Sequence, residues 1–182
     1  MIRIIIFAAG SIFLLLISLR QLKNPGVHGF YRFFSFEGIL ALVLLNHPFW
    51  FSDPFSPLHL FSWSLLAGSI YTIIAALRML RRHGSRQERE AMPENFVFEN
   101  TKYLVDKGIY RYIRHPMYTS LLLLGWGAFC KHPTWLNTVI IVGVTIFILV
   151  CAKVEEQENI AFFGEEYVRY MQKSKKFIPL LL

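Results

Sequence analysis

The chain predicts an all-α integral membrane bundle of about five transmembrane helices, with a cytosolic loop and a C-terminal tail that together form a pocket. Three observations predict it. Hydrophobic residues make up 54% of the 182 and charged residues only 17%, which leaves too little polar surface for a soluble domain. Apolar runs recur along the chain at lengths near the ~20 residues that a helix needs to cross a bilayer. The basic residues gather in alternate connecting segments. The length suits one domain over 1–182, with three spans in 1–80 and the polar, chemistry-bearing part in 100–180.

Each element follows from local signals. Arg3 and the apolar stretch Ile4–Ile17 have the form of a signal peptide, but Leu19-Arg20-Gln21-Leu22-Lys23 offers no small-residue cleavage site, so 2–19 reads as a retained first membrane helix. A second run covers 33–51. Pro48, Pro54 and Pro57 mark the turn into a third, 58–80. Pro116 opens a fourth, 116–130, at the position where a missing N–H costs least, and Lys131-His132-Pro133 stops it. The fifth is 134–152. Segments 20–32, 78–115 and 153–182 hold 3, 9 and 5 of the 19 Lys and Arg, while the other side keeps Arg3 and Lys131. The positive-inside rule then places the N-terminus outside and the C-terminus in the cytosol. Loop 81–115 and tail 153–182 share the cytosolic face, and the mixed-charge stretch 81–94 reads as a solvated helix extension or loop.

The formal net charge of +7 lies in these segments, as expected of a protein facing anionic membrane lipid and not nucleic acid. Cys130 and Cys151 read as packed free thiols. His28, His47, His59, His83 and His132 are scattered, and no metal site is expected.

Two polar clusters stand out. Gly108-Ile109-Tyr110-Arg111-Tyr112-Ile113-Arg114-His115-Pro116-Met117-Tyr118 precedes the fourth run. It puts Arg114 and His115 at a helix N-terminus, where exposed N–H groups favour an anion. The plainer alternative is that Arg114 snorkels and His115 caps the helix. Glu155-Glu156 follows the fifth run. Adjacent carboxylates repel, and a cation between them offsets this; the alternative is a solvated helix end. An acidic pair at a helix C-terminus also opposes the macrodipole, provided that the helix stops there. Tyr167 and Tyr170, three apart, share a helical face and form either an aromatic wall for a cation or purine or an interfacial anchor. Glu37, within the second span, is expected to pair with Arg32, and Gly125-Trp126-Gly127 to pack closely against a neighbouring helix.

Taken in order, Leu104-Val105-x-x-Gly108-x-Tyr110, Arg114-His115-Pro116-x-Tyr118, Glu155-Glu156, Phe163-Gly164-Glu165-Glu166-Tyr167-x-x-Tyr170 and Phe177-Ile178-Pro179 resemble the isoprenylcysteine carboxyl methyltransferase family and the wider group of small membrane phospholipid methyltransferases. The resemblance covers about residues 100–180. It implies a helical membrane enzyme that uses S-adenosylmethionine. By motif position it implies that Lys102, Tyr103, Leu104, Val105, Tyr110, His115, Pro116, Met117, Tyr118 and Glu155 line the cofactor pocket. Arg114 and Glu156 would be catalytic, Arg114 steering the acceptor and Glu156 serving as a base where the acceptor is an amine. Ser120 stands where these enzymes often carry glycine. Prenylcysteine enzymes place an arginine upstream of the glutamate pair; here Cys151 stands four residues before Glu155 and the nearest basic residue is Lys153. Lys153 and Arg114 are therefore the expected substrate ligands. The implied partner is a lipophilic small molecule or lipidated substrate in the membrane. Rival readings are a phospholipid amine N-methyltransferase, an NADPH-dependent membrane reductase with a similar Arg-His-Pro-x-Tyr element, and a non-catalytic membrane scaffold.

Overall fold

A computed structural model describes residues 1–85 and 101–178. Among the described residues six α-helices make the architecture: α1 Ile2–Ser18, α2 His28–Asn46, α3 Pro57–Met79, α4 Pro116–Phe129, α5 Trp135–Phe163 and α6 Glu165–Lys173. The first five are the five apolar runs. Among the described residues the only strand-like pairing is an isolated parallel bridge between Ile113 and Lys175. The fold is an all-α membrane bundle. His28–Phe49, Pro57–Gly84 and Trp135–Phe163 are long and apolar enough to cross a bilayer, whereas α1 has 17 residues and α4 only 14.

Two helices depart from their apolar limits for one reason. Helix α2 begins at His28, more than a turn before residue 33, and α5 runs to Phe163, three turns past Ala152. Hydropathy stops where polar residues appear. Here those residues, His28 and Arg32 on α2 and Glu156 on α5, are buried against protein, so the helix continues through them. The macrodipole objection to Glu155-Glu156 lapses, because the pair sits inside the helix. Residues 86–94 of the mixed-charge stretch and Pro179 of the Phe-Ile-Pro element lie outside the described residues.

Helix pairs α2–α5 and α3–α4 form the two halves of the bundle, and α4 joins them through contacts to α2 and α5. Helix α1 leans only on α2. Its Ile, Leu and Phe side chains are otherwise exposed, as suits a lipid-facing helix. Small residues set the close approaches, as in membrane bundles generally. A Cβ on Gly38 would meet Val144, one on Gly125 would meet Ile141, and one on Gly127 would meet Leu66. Hydroxyls add interhelical bonds, Ser62 Oγ to the Gly127 carbonyl at 2.7 Å and Ser69 Oγ to the Ser120 carbonyl at 2.8 Å. The core proper is Ile39, Leu42, Ile141, Val144 and Ile148, closed at one end by Tyr118, Cys151 and Phe177. Glu37 accepts a hydrogen bond from Ser11 Oγ on α1 at 2.7 Å, which replaces the expected pairing with Arg32.

At the end remote from the basic segments, two asparagines replace apolar packing. Asn46 Nδ2 donates to the Ala128 carbonyl at 2.9 Å. Asn137 Nδ2 donates to Asn46 Oδ1 at 2.7 Å and to the His132 carbonyl at 2.8 Å. The ends of α2 and α4 and the start of α5 are thereby fastened together. Replacing Asn46 by Leu removes its bonds to the Ala128 carbonyl and the Asn137 amide, which keep the Lys131 N–H and the His132 carbonyl as partners, at about 0.5–1.5 kcal/mol per lost bond. Asn46→Leu should therefore lower the thermal midpoint of the purified protein clearly, and an unchanged midpoint would show that the clamp is not structural.

Candidate functional site

At the opposite end, the loop before α4 is built to aim side chains inward. The backbone N–H groups of Lys102 and Tyr103 bond the Gly84 carbonyl, at 3.0 and 3.2 Å, and hold segment 101–105 against the π-helical turn Leu80–Gly84 that ends α3. Gly108 has φ +59°, and a Cβ there would lie 2.5 Å from Met79 Sδ. Only glycine meets both demands, and the turn it makes carries Tyr110 into the protein. Tyr110 is buried with Ala76 and Val105. Gly164, φ +60° and ψ −138°, plays the matching part between α5 and α6, and turns Tyr167 and Tyr170 back over the same space.

The C-terminal tail is strapped to this loop. Arg114 N donates to the Lys175 carbonyl at 2.7 Å, His115 N to the Lys176 carbonyl at 3.1 Å, and Lys175 N to the Tyr112 carbonyl at 2.9 Å. Thr119 Oγ1 adds a bond to the Phe177 carbonyl at 3.0 Å, and Tyr170 Oη one to the Tyr110 carbonyl at 2.7 Å.

These elements border a cavity with about 980 Å³ of empty space, the open solvent at its mouth included. Of the residues expected to form a site, Leu104, Val105, Tyr110, Arg114, His115, Pro116, Met117, Tyr118 and Glu155 line it together, with Tyr167 and Tyr170. Lys102 and Tyr103 are exposed on the outer side of their segment and reach the cavity only by positioning Leu104 and Val105. Lys153 is also exposed and is not in the lining, since two residues place it about 200° around the helix from Glu155. Cys151 faces α2, its thiol donating to the His28 carbonyl at 3.1 Å. Ser120, the serine at the motif's glycine position, lies in the wall. Arg32 and Phe36 from α2 and Asn159 from α5 also line the cavity, and sequence reasoning assigned none of them there. The signal for Arg32 was an arginine one turn into a membrane helix, a residue that seldom faces lipid.

Charge is organised around Glu156, which lies behind the wall. Its Oε1 accepts from Arg114 Nε at 2.9 Å and from His115 Nε2 at 3.3 Å, and its Oε2 from Lys176 Nζ at 2.8 Å. Burial alone would raise this carboxyl, but His115, Lys176 and Arg114 hold it down at about 2. The group lies in the polar extension of α5, beyond its apolar stretch. A carboxylate so stabilised has little tendency to take up a proton at neutral pH. His115 Nδ1 lies 3.7 Å from Glu155 Oε2, and its ring stacks on Tyr118 with centroids 5.4 Å apart. Arg114 also donates to the Met171 carbonyl at 3.1 Å and to that of Ser174. The cavity wall thus offers a carboxylate, an imidazole, two guanidinium groups and four tyrosines, enough to hold a molecule that carries both signs of charge and an aromatic ring.

Burial would lower the His115 pKa, but the two carboxylates outweigh it and raise it above the ordinary 6.5. The stabilisation this gives is complete below pH 6.5, where folded and unfolded chains are both protonated, and is lost as the pH rises through the folded-state value. Wild-type protein should therefore lose thermal stability above pH 6.5 relative to His115→Gln, by at most ~1.4 kcal/mol per pH unit. Parallel pH profiles of the two would remove the imidazolium from this network.

The comparisons with known proteins agree with the geometry. The phospholipid methyltransferase family model matches residues 58–166, more than half of the chain. Methanethiol S-methyltransferase of Crocosphaera subtropica is 32% identical over 88 residues, which cover 46% of this chain and 34% of that protein. The Pseudomonas deceptionensis enzyme of the same name is 32% identical over 73 residues, 40% of this chain and 27% of its own. The chain matches about a third or less of the length of these curated relatives. No solved structure matches it significantly. With a family match that runs from α3 through α5, over the segments that build most of the cavity wall, the chain belongs to the phospholipid methyltransferase family.

Proposed function

We propose that this protein transfers a methyl group from S-adenosylmethionine to a lipophilic acceptor whose nucleophile is an ionised acid, a thiolate or a carboxylate. The observation that carries this reading is the two-sided character of one cavity. One side holds His115, Glu155, Tyr118, Tyr167 and Tyr170; the other holds Phe36, Ile73 and Leu121 from three different helices. Helices α2 and α3 both pack on α4 but share at most marginal contact with each other, so the apolar side lies in a crevice that faces the bilayer. The positive-inside count puts the polar side at the cytosolic face.

When bound, the cofactor supplies an electrophilic methyl group on a sulfonium, which leaves as a neutral thioether once the acceptor's lone pair forms the new bond. The protein's part is to align the partners and exclude water, which can supply ~7–11 kcal/mol. Glu155 suits the cofactor's ammonium, His115 with the α4 N-terminus its carboxylate, and Tyr110, Tyr118, Tyr167 and Tyr170 its sulfonium and purine. Leu104, Val105, Pro116 and Met117 complete the apolar part of that wall. Arg114 is the guanidinium that steers the acceptor in this reading. Glu156 acts in this reading by fixing Arg114, His115 and Lys176 and not as a base.

The acceptor class follows from what the wall lacks. Among the described lining residues the two groups suited to proton abstraction are His115 and Glu155, and each already faces the other at 3.7 Å. Burial raises the Tyr167 and Tyr170 hydroxyls far above neutrality. An ammonium must lose a proton before it attacks; a thiolate or carboxylate need not. The two named relatives, which take a thiol, support the same choice.

Two measurements test this. Calorimetric titration with S-adenosylmethionine should show binding that His115→Ala and Glu155→Gln each weaken tenfold or more, as loss of a bond to a charged group costs ~1.5–3 kcal/mol. Binding of NADPH in place of the methyl donor would move the protein to the reductase reading. Methyl transfer to thiol, carboxylate and amine acceptors with matched octyl tails should proceed with the first two and lag with the amine at neutral pH. A tail-free thiol should be a poorer substrate, since each buried CH₂ contributes ~0.8 kcal/mol; equal rates with and without the tail would refute entry from the membrane.

A further inference from the structure

We infer that the protein carries a second site, a groove between α6 and the loop before α4 that binds the phosphate of an anionic lipid headgroup, and that its occupant braces the cavity assigned above to the methyl donor. The site rests on the fold and the charge count; its effect on the donor rests on the methyltransferase reading.

The turn that carries Tyr110 inward sends its neighbours outward. The 3₁₀ turn Gly108–Arg111 leaves Lys107 before it and Arg111 at its end exposed, while Tyr110 between them is buried. On α6, Tyr167 and Tyr170 take the buried face. Arg169 and Lys173, four residues apart and exposed, share another. These four cations line one groove, with about 1400 Å³ of empty space, the open solvent at its mouth included. Asp106 and Glu166 line it as well, so four cations face two carboxylates. Among the described residues none of the six side chains forms an ion pair. Like charges gathered from two separate elements repel one another, and an anion seated among them offsets that repulsion.

Position and rim favour a lipid over a free anion. The groove lies at the end of the bundle where the basic segments gather. The positive-inside count puts that end at the cytosolic face, whose leaflet carries anionic lipid. Tyr112 lines the groove and is 58% exposed, and its ring lies 5.9 Å from the Arg111 guanidinium carbon. Tyr103, also exposed, stands on the adjoining segment. Exposed tyrosines beside cations suit the headgroup layer. Arginine offers a phosphate two parallel donors, and lysine a single charged one.

The groove and the donor cavity share a wall. Leu104 and Tyr170 line both, and Tyr170 Oη donates to the Tyr110 carbonyl at 2.7 Å across the seam between α6 and the loop. A phosphate held by cations of both elements closes the same seam from outside. Two walls of the donor cavity are then ordered before the donor arrives, which lowers the ordering cost of binding it.

The test uses the full-length protein in detergent, with dioctanoyl phosphatidylglycerol as the probe and dioctanoyl phosphatidylcholine as the control lipid. Wild type is compared with Arg169→Gln/Lys173→Gln and with Arg20→Gln/Lys23→Gln, which removes the same charge from exposed residues outside the groove. Lipid-free thermal midpoints, read first, verify folding; should the α6 pair fail there, Lys107→Gln/Arg111→Gln makes the same test from the loop side. Lipid affinity is then read from the rise of the midpoint with lipid concentration. The inference expects phosphatidylglycerol, and not phosphatidylcholine, to stabilise wild type and the control variant alike. The groove variant should bind it tenfold or more weakly, the usual effect of losing a bond to a charged group. Phosphatidylglycerol should also tighten calorimetric binding of S-adenosylmethionine in wild type and not in the groove variant. Equal lipid affinity in all three proteins, or an equal loss in both variants, overturns the site. Inorganic phosphate that stabilises wild type as well as the lipid does at the same concentration assigns the groove to a free anion and overturns the lipid inference. Lipid binding with unmoved donor affinity overturns the bracing. A wild type that binds the lipid but not the donor sinks the methyltransferase reading and leaves the lipid site standing.

Discussion

Two carboxylates on successive residues of one helix, Glu155 and Glu156, set the terms for this end of the bundle. A buried charge costs several kcal/mol unless it is paired and hydrogen-bonded; Glu156 is buried and Glu155 partly so, and both are compensated by residues from two separate parts of the chain. His115 stands between them, Arg114 comes from the same loop, and Lys176 comes from the tail. The pair of charges therefore acts as a knot. It ties the start of α4 to the extension of α5, and it fixes the strap of residues 174–177 across both. The tyrosines of α6 are carried into place by the same strap. Removing one partner leaves the remaining charge buried and short of compensation, so this geometry has few nearby alternatives.

That dependence explains what could be read from the sequence and what could not. Hydropathy and the alternation of basic segments locate five helices, because both reflect the solvent around the chain. The glycines at 108 and 164 stand in the sequence only as motif members, and the structure shows that both turn the chain at positive φ. The element Arg114-His115-Pro116 correctly starts a helix at Pro116. Hydropathy fails where polar residues turn inward, at His28 and Arg32 and again beyond Ala152, since a buried ion pair and a solvated helix end look alike in composition. It also cannot say which of two adjacent glutamates faces a cavity. One residue is about 100° of helix, and this rotation separates Glu155, in the wall, from Glu156, behind it. Lys153 was a plausible ligand by proximity in sequence and is not in the wall because of the same rotation.

The sparse contact between α2 and α3 among the described residues is the second constraint. Membrane helices associate through close packing of small residues and interhelical hydrogen bonds, and this bundle spends both on the α3–α4 and α2–α5 pairs. Gly127 against Leu66 and Gly38 against Val144 seal those pairs. Nothing comparable joins α2 to α3 among the described residues. The result is a bundle closed at its asparagine clamp and parted near the charged knot, where Phe36, Ile73 and Leu121 meet the polar wall. In the proposed reading an apolar acceptor reaches the cavity there from the bilayer.

Family membership speaks to the two sides of that cavity unequally. The matched segment, 58–166, contains Leu104 to Tyr118 and Glu155 to Phe163, the side with the charge and chemistry to suit a methyl donor. Arg32 and Phe36 lie before it. A match confined to the donor side is compatible with many acceptors, and the family's name and the name of its methanethiol-methylating relatives do differ in acceptor chemistry, a phospholipid against a thiol. What discriminates among acceptors must then come from the geometry of the other side. Here that side offers Phe36, Ile73 and Leu121, beside a wall in which His115 and Glu155 already face each other at 3.7 Å. In the proposed reading such a surface favours an acceptor that has a hydrophobic tail and arrives ionised, because the tail gains from burial and no group of the wall is then needed to take up its proton.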